Sequence, residues 1–197
     1  MPTRDDPHAF EVRLRDGATV RLRDATSADR EPLRHLFFGL SETTRYLYFC
    51  AGVPRNDAWA ERFVALGRAD GSASYALVAE VAGEVVGIAR FDRSKDPRSA
   101  EIGILLADPW QSRGLGALVL RRLTAEARCR AVTTLTGYTA WENRRMLRLA
   151  RRLFAAHLHT DCALGGCYLT IALDDDDHPP DSDCAVCPDS DYPVRAA

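Results

Sequence analysis

The sequence Gln111-Ser112-Arg113-Gly114-Leu115-Gly116 carries the clearest chemical signal in the chain. It follows an apolar segment and opens a segment whose leucines recur at helical spacing. Glycines let the backbone approach a ligand closely, and the first N–H groups of a helix have no partner within it. Because these groups also lie at the positive end of the helix dipole, the pattern predicts a receptor for phosphate or pyrophosphate. A loop that needs glycine only for its backbone conformation is the alternative.

Two familiar phosphate-binding patterns do not match this loop. No Lys-Ser or Lys-Thr pair follows Gly116, which excludes a Walker loop. The Gly-x-Gly-x-x-Gly order of a dinucleotide-binding unit is absent, and the segments around the loop predict antiparallel hairpins rather than that unit's parallel strands.

Hydrophobic spacing predicts the elements that must position the loop. Asp16-Gly17 and Ala82-Gly83-Glu84 each lie between two strand-like runs and predict hairpins. The predicted order is two strands, three helices, three strands, then helix, strand, helix and two strands. We expect one α+β domain (a three-layer α/β arrangement) over residues 1–173. Its central sheet should be mixed, mostly antiparallel and flanked by helices.

The composition of the 197-residue chain restricts its class. It is 46% hydrophobic and 27% charged, which is typical of a globular protein. No stretch is long and apolar enough to cross a membrane and no signal peptide is apparent, so we expect a cytoplasmic protein without a membrane partner. Residues 174–197 hold eight aspartates and one arginine, which predicts an acidic, disordered tail. The other 173 residues hold 25 basic and 20 acidic side chains, and this positive charge suits an anionic ligand.

Lysine and cysteine usage argue against two other kinds of partner. Lys95 is the only lysine, which disfavours a nucleic-acid partner. The six cysteines are expected to be reduced thiols in a protein without a secretion signal. A zinc site built from Cys162, Cys167, Cys184 and Cys187 is disfavoured, since the first pair lies in a predicted hairpin and the second in the tail. We therefore expect no metal.

The segment Ala100–Gly116 resembles the acyl-CoA-binding motif of the GCN5-related N-acetyltransferases, the GNAT family. A second family signature, a strand followed by Asn and a helix, resembles residues 132–138 and then Trp141-Glu142-Asn143. The resemblance implies the GNAT fold and acetyl-CoA as cosubstrate. It implies that the loop binds the CoA pyrophosphate and that the preceding strand and Asn143 lie beside the pantetheine arm. The cofactor-binding residues carried over are Ile104, Leu105, Leu106, Gln111, Ser112, Arg113, Gly114, Leu115, Gly116, Ala117 and Asn143.

Glu101 is the candidate catalytic base. An ammonium must lose its proton before its nitrogen can attack a thioester. In a strand, Ile102 and the residues alternating with it share one face, which leaves Glu101, Gly103 and Leu105 on the other. Apolar neighbours there should desolvate the carboxylate, and the matching family position often carries a catalytic Glu. The alternative is a structural carboxylate paired with Arg90 or Arg98.

The usual family acid is missing. Many members place a Tyr about seven residues after the Asn to protonate the leaving thiolate, and here that position is Ala150. Either the thiolate leaves without a dedicated acid, or Tyr138 substitutes. The oxyanion would be stabilised by a strand amide near Leu105 or Leu106.

The acceptor is predicted on a narrower resemblance. The opening segments, including Leu40–Phe49, resemble bacterial protein-lysine acetyltransferases, which favours a protein lysine over a small primary amine. A non-catalytic acyl-CoA sensor of the same fold is the alternative to an enzyme. A homodimer is compatible with the sequence, which does not determine the oligomeric state.

Overall fold

The computed structural model describes residues 9–67, 73–163 and 165–173. The predicted order of elements is confirmed over this part of the chain. The elements are β1 (Phe10–Arg13), β2 (Thr19–Asp24), α1 (Arg30–Gly39), α2 (Glu42–Phe49), α3 (Asp57–Leu66), β3 (Ser74–Val81), β4 (Glu84–Arg93), β5 (Ser99–Leu106), α4 (Leu115–Cys129), β6 (Thr134–Ala140), α5 (Arg144–Phe154), β7 (Leu158–Ala163) and β8 (Gly166–Ala172). The predicted acidic tail, 174–197, lies outside the described residues.

The strands form one mixed sheet in the order β1-β2-β3-β4-β5-β6-β8-β7. Neighbouring strands are antiparallel except β5 and β6, which pair in parallel. A parallel pair needs a crossover connection, and α4 supplies it. The predicted fold class is confirmed.

Strand β6 begins and ends two residues later than the spacing of apolar residues predicts. Val132 is buried, but its N–H donates to the carbonyl of Ala127 at 3.0 Å. It therefore belongs to the turn that ends α4. At the other end of the strand, Ala140 pairs with Gly166 on β8.

Helices cover the sheet on both faces and form two main cores. On one face α4 packs its apolar stripe, including Leu115, Leu120 and Leu123, against the sheet. On the other face α1 and α3 contribute Phe37 and Phe63. A smaller cluster lies beneath α5 and includes Leu169 of β8. The loop before α4 is therefore held at the edge of a well-packed core.

The prediction that the cysteines are reduced thiols is wrong for the β7–β8 hairpin. Cys162 and Cys167 are direct cross-strand partners of the β7–β8 hairpin, and they form a disulfide. Spacing along the chain does not reveal this pairing, because the register of the hairpin decides it. The hypothetical zinc site also includes Cys184 and Cys187, which lie outside the described residues, so the prediction of no metal is not tested.

In the described part of the chain, no helix combines the length and apolar character that a bilayer crossing requires.

Candidate active site

A wedge-shaped gap opens between β5 and β6. The two strands pair only over Ser99–Glu101 and Thr134–Thr136, and beyond Glu101 and Thr136 they part. The gap is continuous with a cleft of about 940 Å³, which runs from the loop before α4 to the side chains of α2 and α3. A cleft of this size accommodates a cofactor.

The loop before α4 presents open backbone donors to this cleft. Ser112 and Gly114 have positive φ angles, 62° and 93°, and both are exposed. Gly114 is the N-cap residue, and no described side chain caps the helix. The start of α4 therefore has no side-chain acceptor, as an anion-binding loop requires.

The structure brings ten of the twelve predicted functional residues to the wall of one cleft. They are Glu101, Ile104, Leu105, Leu106, Gln111, Ser112, Gly114, Gly116, Ala117 and Asn143. Arg113 instead stacks on Trp110, 4.1 Å from the ring centroid, and pairs with Asp16. Leu115 is fully buried in the core.

The edge of β5 that faces the gap carries backbone groups directed toward it. The N–H of Ala107 donates to the carbonyl of Val86 on β4 at 2.8 Å. Hydrogen-bonded pairs alternate along an antiparallel ladder, so the backbone N–H and C=O of Leu105 also bond to β4. The backbone N–H and C=O groups of Ile104 and Leu106 therefore point away from β4, toward the gap. Of the two predicted oxyanion donors, Leu106 has the matching direction.

Gln111 ties the loop to two helices. Its Nε2 donates to the carbonyl of Leu106 at 2.9 Å and to the hydroxyl of Thr44 on α2 at 3.1 Å. Its Oε1 accepts from Arg145 on α5 at 2.5 Å. Thr44 in turn donates to Asp108 at 2.7 Å. The side chain of Gln111 therefore holds the loop in place.

The side chain of Asn143 also has a structural role, because it bonds to other groups of the protein. Its Oδ1 accepts from the N–H of Met146 at 3.2 Å and so caps α5, while its Nδ2 donates to the hydroxyl of Thr139 at 3.0 Å. The side chain lines the cleft and is held by contacts within the protein.

Glu101 lies in the cleft but is not desolvated. Its side chain is exposed, contrary to the expectation from its apolar neighbours in sequence. The difference arises because the sheet face beside it is open where β5 and β6 part. The alternative pairing with Arg90 is not formed, since Arg90 forms its ion pair with Asp92.

Tyr48 and Arg90 are functional candidates that sequence analysis missed. Both line the cleft on the face of β5 that carries Glu101, and Arg90 Nε lies 3.4 Å from the position that a β-carbon at Gly103 would take. The same β-carbon would lie 3.0 Å from the Tyr48 hydroxyl. Burial raises the pKa of Tyr48, and the charge of Glu101 adds to this effect while Arg90 opposes it. No local pattern reveals this grouping, because α2 and β4 meet only in the fold.

Tyr138 is the sequence candidate for the missing acid. At the usual position of the acid, Ala150 is fully buried on α5. Tyr138 lines the cleft, stacks on Tyr168 with 4.7 Å between ring centroids, and places its hydroxyl over Gly166 on β8.

Comparisons with known proteins identify the family. The family whose sequence pattern matches is the acetyltransferase (GNAT) domain, over residues 19–153. A curated acetyltransferase of Pseudomonas aeruginosa is 29% identical over 155 residues, which are 77% of each chain. The GNAT domain of S. lividans PAT has a TM-score of 0.74 at 25% identity and covers 87% of this chain and 100% of that chain. The protein yncA of Salmonella typhimurium was solved with its cofactor acetyl-CoA. It has a TM-score of 0.57 at 22% identity, and the match covers 79% of this chain and 95% of that chain.

The matched region includes both the loop and Glu101, and it extends over more than half of the chain. The fold, the uncapped loop and this match agree with one another. The chain belongs to the GNAT family and is an acetyltransferase.

Proposed function

We propose that this acetyltransferase transfers the acetyl group of acetyl-CoA to a primary amine, with a protein lysine as the favoured acceptor. The observation that carries the proposal is the continuity of one cleft from the uncapped amides of α4 to Glu101. A cofactor with a diphosphate at one end and a thioester at the other suits a cleft that has an uncapped helix start at one end and a carboxylate at the other.

The donor would lie along the cleft in a defined direction. Its diphosphate would accept from the amides that follow Gly114, with Arg145 and Arg148 nearby to balance the charge. Its pantetheine arm would lie against the free edge of β5, at Ile104 and Leu106. The yncA structure, which holds acetyl-CoA, supports this choice of cofactor.

The reaction would be a direct transfer within a ternary complex. Glu101, directly or through water, takes the proton of the ammonium, and the amine nitrogen attacks the thioester carbon. The developing oxyanion accepts from the N–H of Leu106. The carbon–sulfur bond then breaks and CoA leaves as a thiolate, for which the described residues supply no evident acid.

The test is a Glu101→Gln variant assayed for CoA release with acetyl-CoA and a lysine peptide. We expect kcat to fall at least a hundredfold while the affinity for CoA stays within about twofold, because the amide cannot take a proton. Glu84→Gln, in an exposed hairpin position outside the cleft, is the matched control. Full activity of Glu101→Gln across the pH range would remove Glu101 from the role of base.

A non-catalytic acyl-CoA sensor is the second candidate, favoured by the buried alanine at position 150. It predicts tight CoA binding without turnover. A panel of lysine peptides and small primary amines separates the possibilities, because CoA release with any member excludes the sensor. The preferred member of the panel then decides between a protein and a small-molecule acceptor.

A further inference from the structure

The arginines that line the cleft fall into two groups on different elements. Three of them belong to α5, which lies beside the loop, since its Arg145 bonds to Gln111. These three are placed to balance the phosphates of the donor. The other two, Arg62 and Arg90, belong to α3 and β4. Their charge needs a separate explanation.

A row of aromatic rings connects Arg62 with the site of the proposed base. The hydroxyl of Tyr48 lies against β5, on the face of that strand that carries Glu101. The ring centroids of Tyr48 and Phe49 are 4.9 Å apart, and those of Phe49 and Trp59 are 5.5 Å apart. The guanidinium carbon of Arg62 lies 4.8 Å from the centroid of the Trp59 ring. All three rings line the cleft, so Arg62 lies on its acceptor side, beyond an aromatic wall.

Arg62 is the cation on this side of the cleft that lacks a carboxylate. Arg90 forms its ion pair with Asp92. The acidic residues of α3, Asp57 and Glu61, pair with arginines of α1. Among the described residues, no carboxylate forms an ion pair with Arg62, whose guanidinium instead lies over an aromatic ring. A negative charge at this position must therefore come from a ligand.

The acceptor is the ligand that this side of the cleft would hold. Its ammonium would be balanced by Glu101, which leaves the charge of Arg62 without a counterion. We propose that the acceptor is a lysine in an acidic segment of a polypeptide, and that an Asp or Glu beside this lysine pairs with Arg62. The inference rests on the proposed function and specifies the acceptor.

The aromatic wall favours a lysine with an acidic neighbour over a free α-amino acid. The wall separates Arg62 from Glu101, so the amine and the carboxylate of the acceptor should be well apart. In an α-amino acid the two groups are attached to one carbon atom. In a peptide, the four methylene groups of the lysine can lie along the rings while the neighbouring carboxylate stays at the exposed guanidinium.

The experiment compares peptides that differ only in the residues on either side of one lysine, which are aspartate, serine or arginine. CoA release from acetyl-CoA gives kcat/KM for each peptide. Fluorescence anisotropy gives the affinity of matching peptides in which norleucine replaces the lysine. The proteins are the wild type, Arg62→Gln, Arg62→Glu and the control Arg13→Glu, which is exposed on β1 at the far edge of the sheet. Thermal melting checks folding.

We expect the wild type to favour the aspartate-flanked peptide over the serine-flanked peptide about fivefold in kcat/KM, the scale of an exposed ion pair. Arg62→Gln should lose this preference, and Arg62→Glu should favour the arginine-flanked peptide instead. The preference of the wild type should shrink as salt is raised, because the pair is exposed to solvent. Arg13→Glu should keep the wild-type preference.

Equal use of all peptides by the wild type, or a preference that Arg62→Glu leaves unchanged, would overturn the role of Arg62. Free glutamate used better than every peptide would overturn the polypeptide acceptor. If the aspartate-flanked norleucine peptide binds through Arg62 but no peptide releases CoA, the transferase is refuted and the acidic docking site is supported.

Discussion

Glu101 is the one carboxylate among the described residues that line the cleft, and its surroundings are strongly cationic. Arg62, Arg90, Arg145, Arg148 and Arg152 line the same cleft. Arg90 forms its ion pair with Asp92. The Tyr48 hydroxyl and Arg90 Nε both lie against Gly103, on the face of β5 that carries the proposed base.

Removing the Tyr48 hydroxyl should affect the acceptor side of the reaction. Tyr48→Phe keeps the ring but removes the hydroxyl that, together with Arg90, lies against Gly103 beside the proposed base. We expect kcat/KM for the amine to fall about tenfold, with little change in KM for acetyl-CoA. Steady-state kinetics with each substrate varied measure this. Tyr46→Phe, an exposed neighbour, is the control, and an equal loss in both variants would contradict the assignment.

A buried carboxylate at another site should govern acid stability. Burial raises the pKa of Asp29, but the hydrogen bonds and charge of Arg23, 2.7 Å away, outweigh it, so the pKa lies below its usual value of 3.8. The ionised Asp29 carboxylate therefore contributes its full stabilisation of the folded state above pH 3.8. This contribution is lost as the pH falls through the lower pKa that Asp29 has in the folded state. Asp29→Asn should lower the free energy of unfolding at pH 7 by about 3 kcal/mol and weaken its dependence on pH below 4.

Urea unfolding of both proteins at pH 7 and at pH 3 measures these differences. Asp57→Asn, at an exposed pair with Arg34, is the control, since exposed pairs contribute little. If the free energy of unfolding fell equally in Asp29→Asn and in the wild type between pH 7 and pH 3, Asp29 would not govern acid stability.

At the scale of elements, the loop before α4 is positioned by a helix far from it in sequence. Asp108 accepts from the backbone and side chain of Ser41 and from Thr44, at the start of α2. Thr44 also accepts from Gln111. The start of α2, which leads to Tyr48, is thus linked to the loop that would hold the diphosphate. A few hydrogen bonds therefore fix the position of the loop before α4 relative to α2.

Breaking this link should loosen both substrate sites. Thr44→Val keeps the shape of a largely buried side chain but removes the hydroxyl that Asp108 and Gln111 share. We expect a loss of about 1–3 kcal/mol in stability and a higher KM for acetyl-CoA. Thr43→Val, exposed on the same helix, should behave as the wild type. An unchanged KM in Thr44→Val would show that the loop holds its geometry unaided.

At the scale of the whole molecule, the proposed cofactor would join elements from both halves of the sheet. Its binding should therefore stabilise the domain as a unit. Free CoA at about a hundredfold above its Kd should add about 2.7 kcal/mol, which raises Tm by about 5–10 °C for a domain of this size. Differential scanning fluorimetry measures the shift. Because arginines line the cleft, the shift should shrink as salt is raised.

The control ligand is pantetheine, which lacks the phosphates. It should give a much smaller and salt-independent shift. An equal shift from pantetheine and CoA would contradict diphosphate binding at the loop.

Local sequence determines much of the secondary structure of this protein and the position of its loop before α4. The order of elements, the positive-φ glycine turns and the loop that opens α4 depend on residues near one another in the chain, so spacing and residue type predict them. Glu101 and the loop belong to one strand–loop–helix segment, which made their common cleft predictable. The branch of the family and the acceptor are not contained in such patterns, and they stay predictions.

The tertiary structure decided everything that depends on distant segments meeting. The gap exists because β5 and β6, separated by all of α4, pair for only three residues and then diverge. Glu101 is exposed for the same reason, although its neighbours in sequence are apolar. Tyr48 and Arg90 come from α2 and β4, and Leu169 reaches the cleft from β8 across a glycine. Such contacts follow from strand register and helix packing, in which each residue's surroundings are set by chain that lies far from it in sequence.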